Sequence, residues 1–196
     1  MSTQTSPVGR QKILKIAEQL FTERGYRAVS VRDIAQACGV TNAALYYHFS
    51  NKEALFKEVL ELYTMRLGNR MRAAASDQES AREKVEAMLS EYVDLVAARR
   101  SLFFSLHHKP AGLSKEDAHQ QRAQLMRTIL EPLEDALTQA VDSGELRHLP
   151  AGYSASSLLF GMLHGMVQHR RMYHQQNLCS DDVRVVVDVL WNGMSG

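Results

Sequence analysis

The side chains best suited to chemistry cluster in one short stretch, SVRDIAQACGVTNAALYYHFSNK, from Ser30 to Lys52. Arg32 carries a donor fork that can bond guanine bidentately, Asn42 can pair with adenine, and the Ala43 methyl suits the methyl of thymine. Arg32 can equally rest on a phosphate or stay a solvated surface charge. Thr41 offers a hydroxyl that can cap a helix and donate to a phosphate. Tyr46 and Tyr47 are neighbours, so they cannot both point inward; one is expected to pack and the other to face outward. Either tyrosine can instead be plain core. Lys52 lies in the first turn of a helix, where positive charge opposes the helix dipole. That placement is more reasonable beside a phosphate, because helix N-termini also bind anions.

The elements that must hold these side chains can be read from their punctuation. Ser30 and Asp33 form a capping box for a helix whose Ile34 and Ala35 face inward. Cys38-Gly39 breaks that helix, since Gly accepts the left-handed backbone of a sharp turn. Thr41 caps a second, very short helix that carries Asn42, Leu45, Tyr46 and Phe49. Leu45 and Phe49 are core by spacing. Ser50 and Glu53 form another capping box, opening a long third helix. Two short helices joined by a Gly-containing turn make a helix-turn-helix, whose second helix enters the major groove.

The run VRDIAQACGVTNAALYYHFSNKEALF resembles the N-terminal signature of the tetracycline-repressor (TetR) family of transcriptional regulators. LYYHF followed by an N-K-E-x-L-F helix start is its most specific part. The match covers the first third of the chain, and the remainder is similar only in its all-helical layout. The resemblance implies an all-α protein of about nine helices, with a three-helix DNA-binding head over residues 8–56 and a helical ligand-binding and dimerisation domain over 57–196. In that family an Arg at the position of Arg32 often bonds guanine. Both positions matching Tyr46 and Tyr47 reach DNA, and those matching His48 and Lys52 bond phosphate. Ala43 stands where the family often has Gly. The implied partners are a double-stranded, palindromic DNA operator, a second copy of the chain, and a small apolar or amphipathic effector that releases a repressor from DNA. An activator or a ligand-independent regulator is the alternative within the class, and an all-α enzyme or small-molecule carrier the alternative outside it.

Composition sets outer bounds. The chain has 196 residues, 45% hydrophobic and 23% charged, enough for a full core and one or two domains. Its net charge of +1 is unevenly spread. Through Lys57 there are eight basic and four acidic residues, and in the remainder 15 basic and 18 acidic. A head at +4 on a body at −3 is the asymmetry of a DNA-binding module joined to another domain, though random surface charge gives differences of this size. The two cysteines, Cys38 and Cys179, suggest no disulfide framework and fit a reducing cytoplasm. The N-terminus lacks an apolar run, and no apolar stretch is long enough for a membrane span. There is no P-loop, no G-x-S-x-G and no paired-carboxylate arrangement, so no enzyme and no cofactor are expected. Among eight histidines, His107-His108 diverge on a helix, and His164, His169 and His174 are spaced by five, poor for one face. No metal site is expected.

In the body, the long helix after Ser50 links head and body. A helix with Val85, Met88, Leu89, Tyr92 and Val93 inward follows a polar break at Ser76–Ser80. A short apolar helix, LFFSLHH, comes next. A further helix then runs from a capping box at Ser114 and Asp117 to Ser143, with a kink expected at Pro132. Residues Ser154–Tyr173 are apolar nearly all round, so they must be buried on two sides. Ser157, Gly161 and Gly165 lie on one stripe that would let another helix approach closely. DVRVVVDVLWNGM fits a helical period better than a strand, and a lone strand would have no sheet to join. As in the resembled family, these last two helices are expected to form the dimer interface, through Leu158, Gly161, Met162, Gly165, Met166, Val186 and Leu190. Methionines and aromatics suited to an apolar ligand are Met65, Met88, Tyr92, Phe103, Phe104, His107, Met126 and Met162, although such residues at helical spacing are more often ordinary core.

Overall fold

The computed structural model describes residues 9–98, 115–173 and 178–194. Among the described residues there are eight helices and no strand. They are α1 (Arg10–Arg24), α2 (Val31–Cys38), α3 (Asn42–His48), α4 (Lys52–Ala75), α5 (Ala81–Ala98), α6 (Lys115–Asp142), α7 (Ala155–Met172) and α8 (Ser180–Met194). The all-α expectation holds. LFFSLHH and Ser114 lie outside the described residues. The chain divides into two compact units, residues 1–63 with 99–125, and residues 64–98 with 126–196. Helix α4 runs unbroken through the division between Tyr63 and Thr64.

In the first unit, α1 packs on α2 and α2 on α3. Ile13, Ala17, Phe21, Ile34, Leu45, Leu55 and Phe56 are buried together in its core. The local punctuation is largely as read. Ser30 accepts from the Asp33 N–H, and the Ser30 N–H donates back to the Asp33 carboxylate at 2.7 Å. Gly39 ends α2 at φ +72°, the left-handed region. The Thr41 hydroxyl accepts from the Ala44 N–H at 3.2 Å and starts α3. The start of α4 differs from expectation. Asn51, not Ser50, is its cap, accepting from the Ala54 N–H at 2.7 Å. Glu53, expected to complete a box with Ser50, instead accepts from the Tyr26 hydroxyl.

In the second unit, α5 and α7 both pack on α8. Val85, Leu89, Ile129, Leu133, Leu159, Leu163, Val183 and Val187 are among its most buried side chains, and Tyr92 meets Phe160 with ring centroids 4.7 Å apart. Ser80 caps α5 by a reciprocal pair with Glu83, hidden in what the sequence presents only as a polar break. The valine-rich C-terminus is helical, as its period indicates, with neighbouring pairs such as Val186-Val187 and Leu190-Trp191 buried once per turn.

Pro132 sits inside α6 without ending it. Having no N–H, it cannot donate to the backbone one turn earlier, at Thr128. The Thr128 carbonyl faces Gly68 of α4, where a Cβ would come within 3.0 Å of it. Gly68 therefore lets the backbones of α4 and α6 approach at the proline. We expect Gly68→Ala to destabilise the protein by about 1–3 kcal/mol, since the obstacle is backbone and cannot swing aside. Urea unfolding of the variant beside wild type measures this directly.

Candidate nucleic-acid interface

Helix α3 has seven residues, too few to be stable alone, and only Leu45 among them is buried. Phe49, at its C-cap, is the second anchor, covered by the Arg10 guanidinium 4.8 Å from its ring centroid. Arg10 also pairs with Glu58 of α4. Between these anchors the outer face of α3 is left open. Thr41, Asn42, Ala43 and Ala44 are exposed. Tyr46 is 49% exposed and Tyr47 86%. The expectation that one tyrosine packs inward is therefore corrected. With Leu45 and Phe49 filling the inward positions, both rings fall on the outer side. His48 is half-buried, its ring edge-on to Tyr47 at 5.2 Å.

Arg32 is exposed in the first turn of α2. It is next to Asp33, whose carboxyl is held below its ordinary value of 3.8. The main cause is the Ser30 hydroxyl donating to it, followed by the Ser30 N–H, with Arg24 and Arg32 adding favourable charge. Arg32 is thus free to use its fork while Asp33 is committed to the cap.

Lys52 opens α4 and is half-buried. Its ammonium lies 4.0 Å from the centroid of the Tyr26 ring, a cation–π arrangement. Partial burial lowers its pKa, opposed by the carboxylates of Glu53 and Asp33. Tyr26 is in turn fixed by Phe56, centroid to centroid 4.4 Å, and by Phe21 at 5.8 Å. Its hydroxyl, donating to Glu53 at 3.1 Å, has a pKa pushed up to about 12, mainly by burial and then by that carboxylate. Tyr26 thus has a place beside Lys52 that the sequence did not single out. The available signal was an aromatic directly after the glycine that ends α1. Cys38, the last residue of α2, is buried, and burial pushes its thiol pKa up, so it is an inert core residue.

The structure thus brings Thr41, Asn42, Ala43, Tyr46 and Tyr47 onto one open surface, with Arg32, His48 and Lys52 on the same small unit. Among the described residues, those suggested for an apolar pocket differ in their surroundings. Met88 and Tyr92 are buried core. Met65 is corrected, since it points outward with 48% exposure. Met126 is half-buried, and Phe103, Phe104 and His107 lie outside the described residues. Met162 lines an outer groove of about 470 Å³ with Gly165, Met166, His169, Val185 and Val189. Of the expected interface residues, Leu158, Gly161 and Gly165 are exposed, and nothing lies within 4 Å of a Cβ placed on either glycine. Val186 and Leu190 are buried in the chain's own core at 3% and 5% exposure, and Val186 also borders the outer groove. The outward valines of α8 are Val185 and Val189, on the next positions back.

Residues 13–59 match the family model of bacterial regulatory proteins of the tetR family. The chain is 36% identical over 92 residues to the transcriptional repressor KstR2 of Rhodococcus jostii, covering 47% of this chain and 45% of that protein. It is 26% identical over 158 residues to the fatty acid metabolism regulator protein of Bacillus subtilis, 78% of each chain. Its fold is similar to that of the transcriptional regulator FadR from Bacillus subtilis, solved in complex with stearoyl-CoA. The TM-score is 0.75 at 22% identity, over 95% of this chain and 100% of that one.

The Asp33 shift gives a pH signature. Its carboxyl has a lowered pKa in the folded state, so its contribution to stability is fully present above the unfolded value near 3.8 and is lost as pH falls through the lower folded value. Wild type should therefore lose its advantage over Asp33→Asn on acidification below about pH 4 and keep it unchanged at neutral pH. Thermal melts of both proteins across that range measure the difference.

Proposed function

We propose that this chain, which belongs to the TetR family of bacterial regulatory proteins, is a sequence-specific DNA-binding repressor. It acts in the cytoplasm as a homodimer and leaves a palindromic operator when a small apolar or amphipathic effector binds. Residues 8–56 form the DNA-binding domain and 57–196 the effector and dimerisation domain. The observation that carries the reading is the outer face of α3, which sets hydrogen-bonding and flat apolar side chains in solvent where packing would normally hide them. A polar Asn, two small Ala side chains and two tyrosines on a rigid, capped helix match what reads base edges and sugar-phosphate in a major groove. Lys52 and His48 fit phosphate, and Arg32 fits either guanine or phosphate.

A two-fold operator needs a two-fold protein. The face formed by Leu158, Gly161, Met162, Gly165, Met166, Val185 and Val189 supports that, being apolar, grooved and bare of side chains at its two glycines. For the effector, long-chain acyl-CoA thioesters are the first class to test, because the similar fatty-acid regulator was solved with stearoyl-CoA. None of the motifs for hydrolysis, phosphoryl transfer or metal catalysis is present in the sequence, and the named relatives are regulators.

The test is binding of purified protein to duplex DNA from upstream of its own coding region, across a salt series. Wild type should hold one palindromic site with a steep salt dependence. Arg32→Ala and Asn42→Ala should each lose roughly five- to a hundredfold of the preference for that site over random DNA, while keeping the fold. Added stearoyl-CoA should weaken the complex. Weak, sequence-blind binding that neither variant alters would refute the reading.

A further inference from the structure

We propose that Tyr26 is a positioning residue for DNA binding. Its ring holds the Lys52 ammonium in place at the start of α4, ready for a backbone phosphate. The inference rests on the reading of Lys52 as a phosphate contact.

A free lysine side chain samples many rotamers, and fixing one on binding weakens the contact it makes. Here the ordering is done beforehand. The ammonium sits 4.0 Å from the Tyr26 ring centroid. The ring cannot turn away, because Phe56 and Phe21 pack against it and its hydroxyl is tied to Glu53. Lys52 and Glu53 are adjacent on α4, so one tyrosine fixes both the helix start and the cation on it. The ring neutralises no charge, unlike a carboxylate partner, so the full positive charge stays available to a phosphate. Against the partial burial of the cation stand the carboxylates of Glu53 and Asp33, each itself occupied, Glu53 with the Tyr26 hydroxyl and Asp33 with the Ser30 cap.

The experiment uses the full chain and a duplex of random sequence, which isolates phosphate contacts from base reading. Lys52→Ala should weaken binding and reduce the salt slope by about one. Tyr26→Leu should weaken binding by about three- to tenfold, with the slope nearly unchanged because the charge remains. Tyr26→Phe, which keeps the ring, should stay near wild type. In a Lys52→Ala background, Tyr26→Leu should have no further effect. Equal losses from Tyr26→Leu in both backgrounds would show that Tyr26 serves only the core, overturning the proposal while leaving Lys52 as a phosphate contact. No loss from Lys52→Ala would overturn both. Should Tyr26→Leu fail to fold, the wild-type protein still decides. Its Lys52 ε-methylene protons should be shifted upfield by the ring current in the absence of DNA, and ordinary lysine shifts there would overturn the proposal.

Discussion

Burial of Leu45 is the interaction on which the open face of the head depends. A seven-residue helix has too few hydrogen bonds to offset its own nucleation. It persists because one leucine is sunk in the core, Thr41 satisfies its first turn, and Phe49 anchors its exit. This arrangement has a functional consequence. With Leu45 the single buried side chain within α3, most of the helix surface is left open, as the proposed reading of DNA requires. In return, the helix has no stability separate from the core of α1, α2 and the start of α4.

The supports of that face are electrostatically sorted. Asp33, next to Arg32, and Glu53, next to Lys52, are each committed, one to the Ser30 cap and one to the Tyr26 hydroxyl. Arg10 is tied to Glu58 and to the Phe49 ring. Arg32, Asn42, Tyr46 and Tyr47 stay exposed. Anchoring residues and reading residues are therefore different side chains on the same short segment.

Much of this was legible because it is local. The Ser30–Asp33 box, the Gly39 stop and the Thr41 cap each follow from residues three or four apart, and the family signature covers the same stretch. Where two local patterns overlap, sequence cannot choose. Ser50–Glu53 and Asn51 both make sensible caps, and it is the distant Tyr26 that takes Glu53. Side-chain direction failed for a related reason. Periodicity shows that α8 has an apolar face, but not whether that face meets its own chain or another. Val186 and Leu190 are buried in the core, Val186 also bordering the outer groove, while Val185 and Val189 are exposed. Met65 likewise keeps an apolar character without a buried position. The tyrosine pair misled because alternation between neighbours presumes that the helix has core to spare, and on α3 it has none beyond Leu45.

The central claim is that the open face of α3, in two copies, reads a DNA sequence. Selection of bound duplexes from a randomised pool by the purified protein tests it without presuming any target. The account predicts enrichment of an inverted repeat whose half-sites lie about one helical turn, or a multiple of it, apart, with a shifted base preference when Asn42 or Tyr47 is replaced. Recovery of duplexes with no common sequence, or of the same sequence from wild type and both variants, would contradict it.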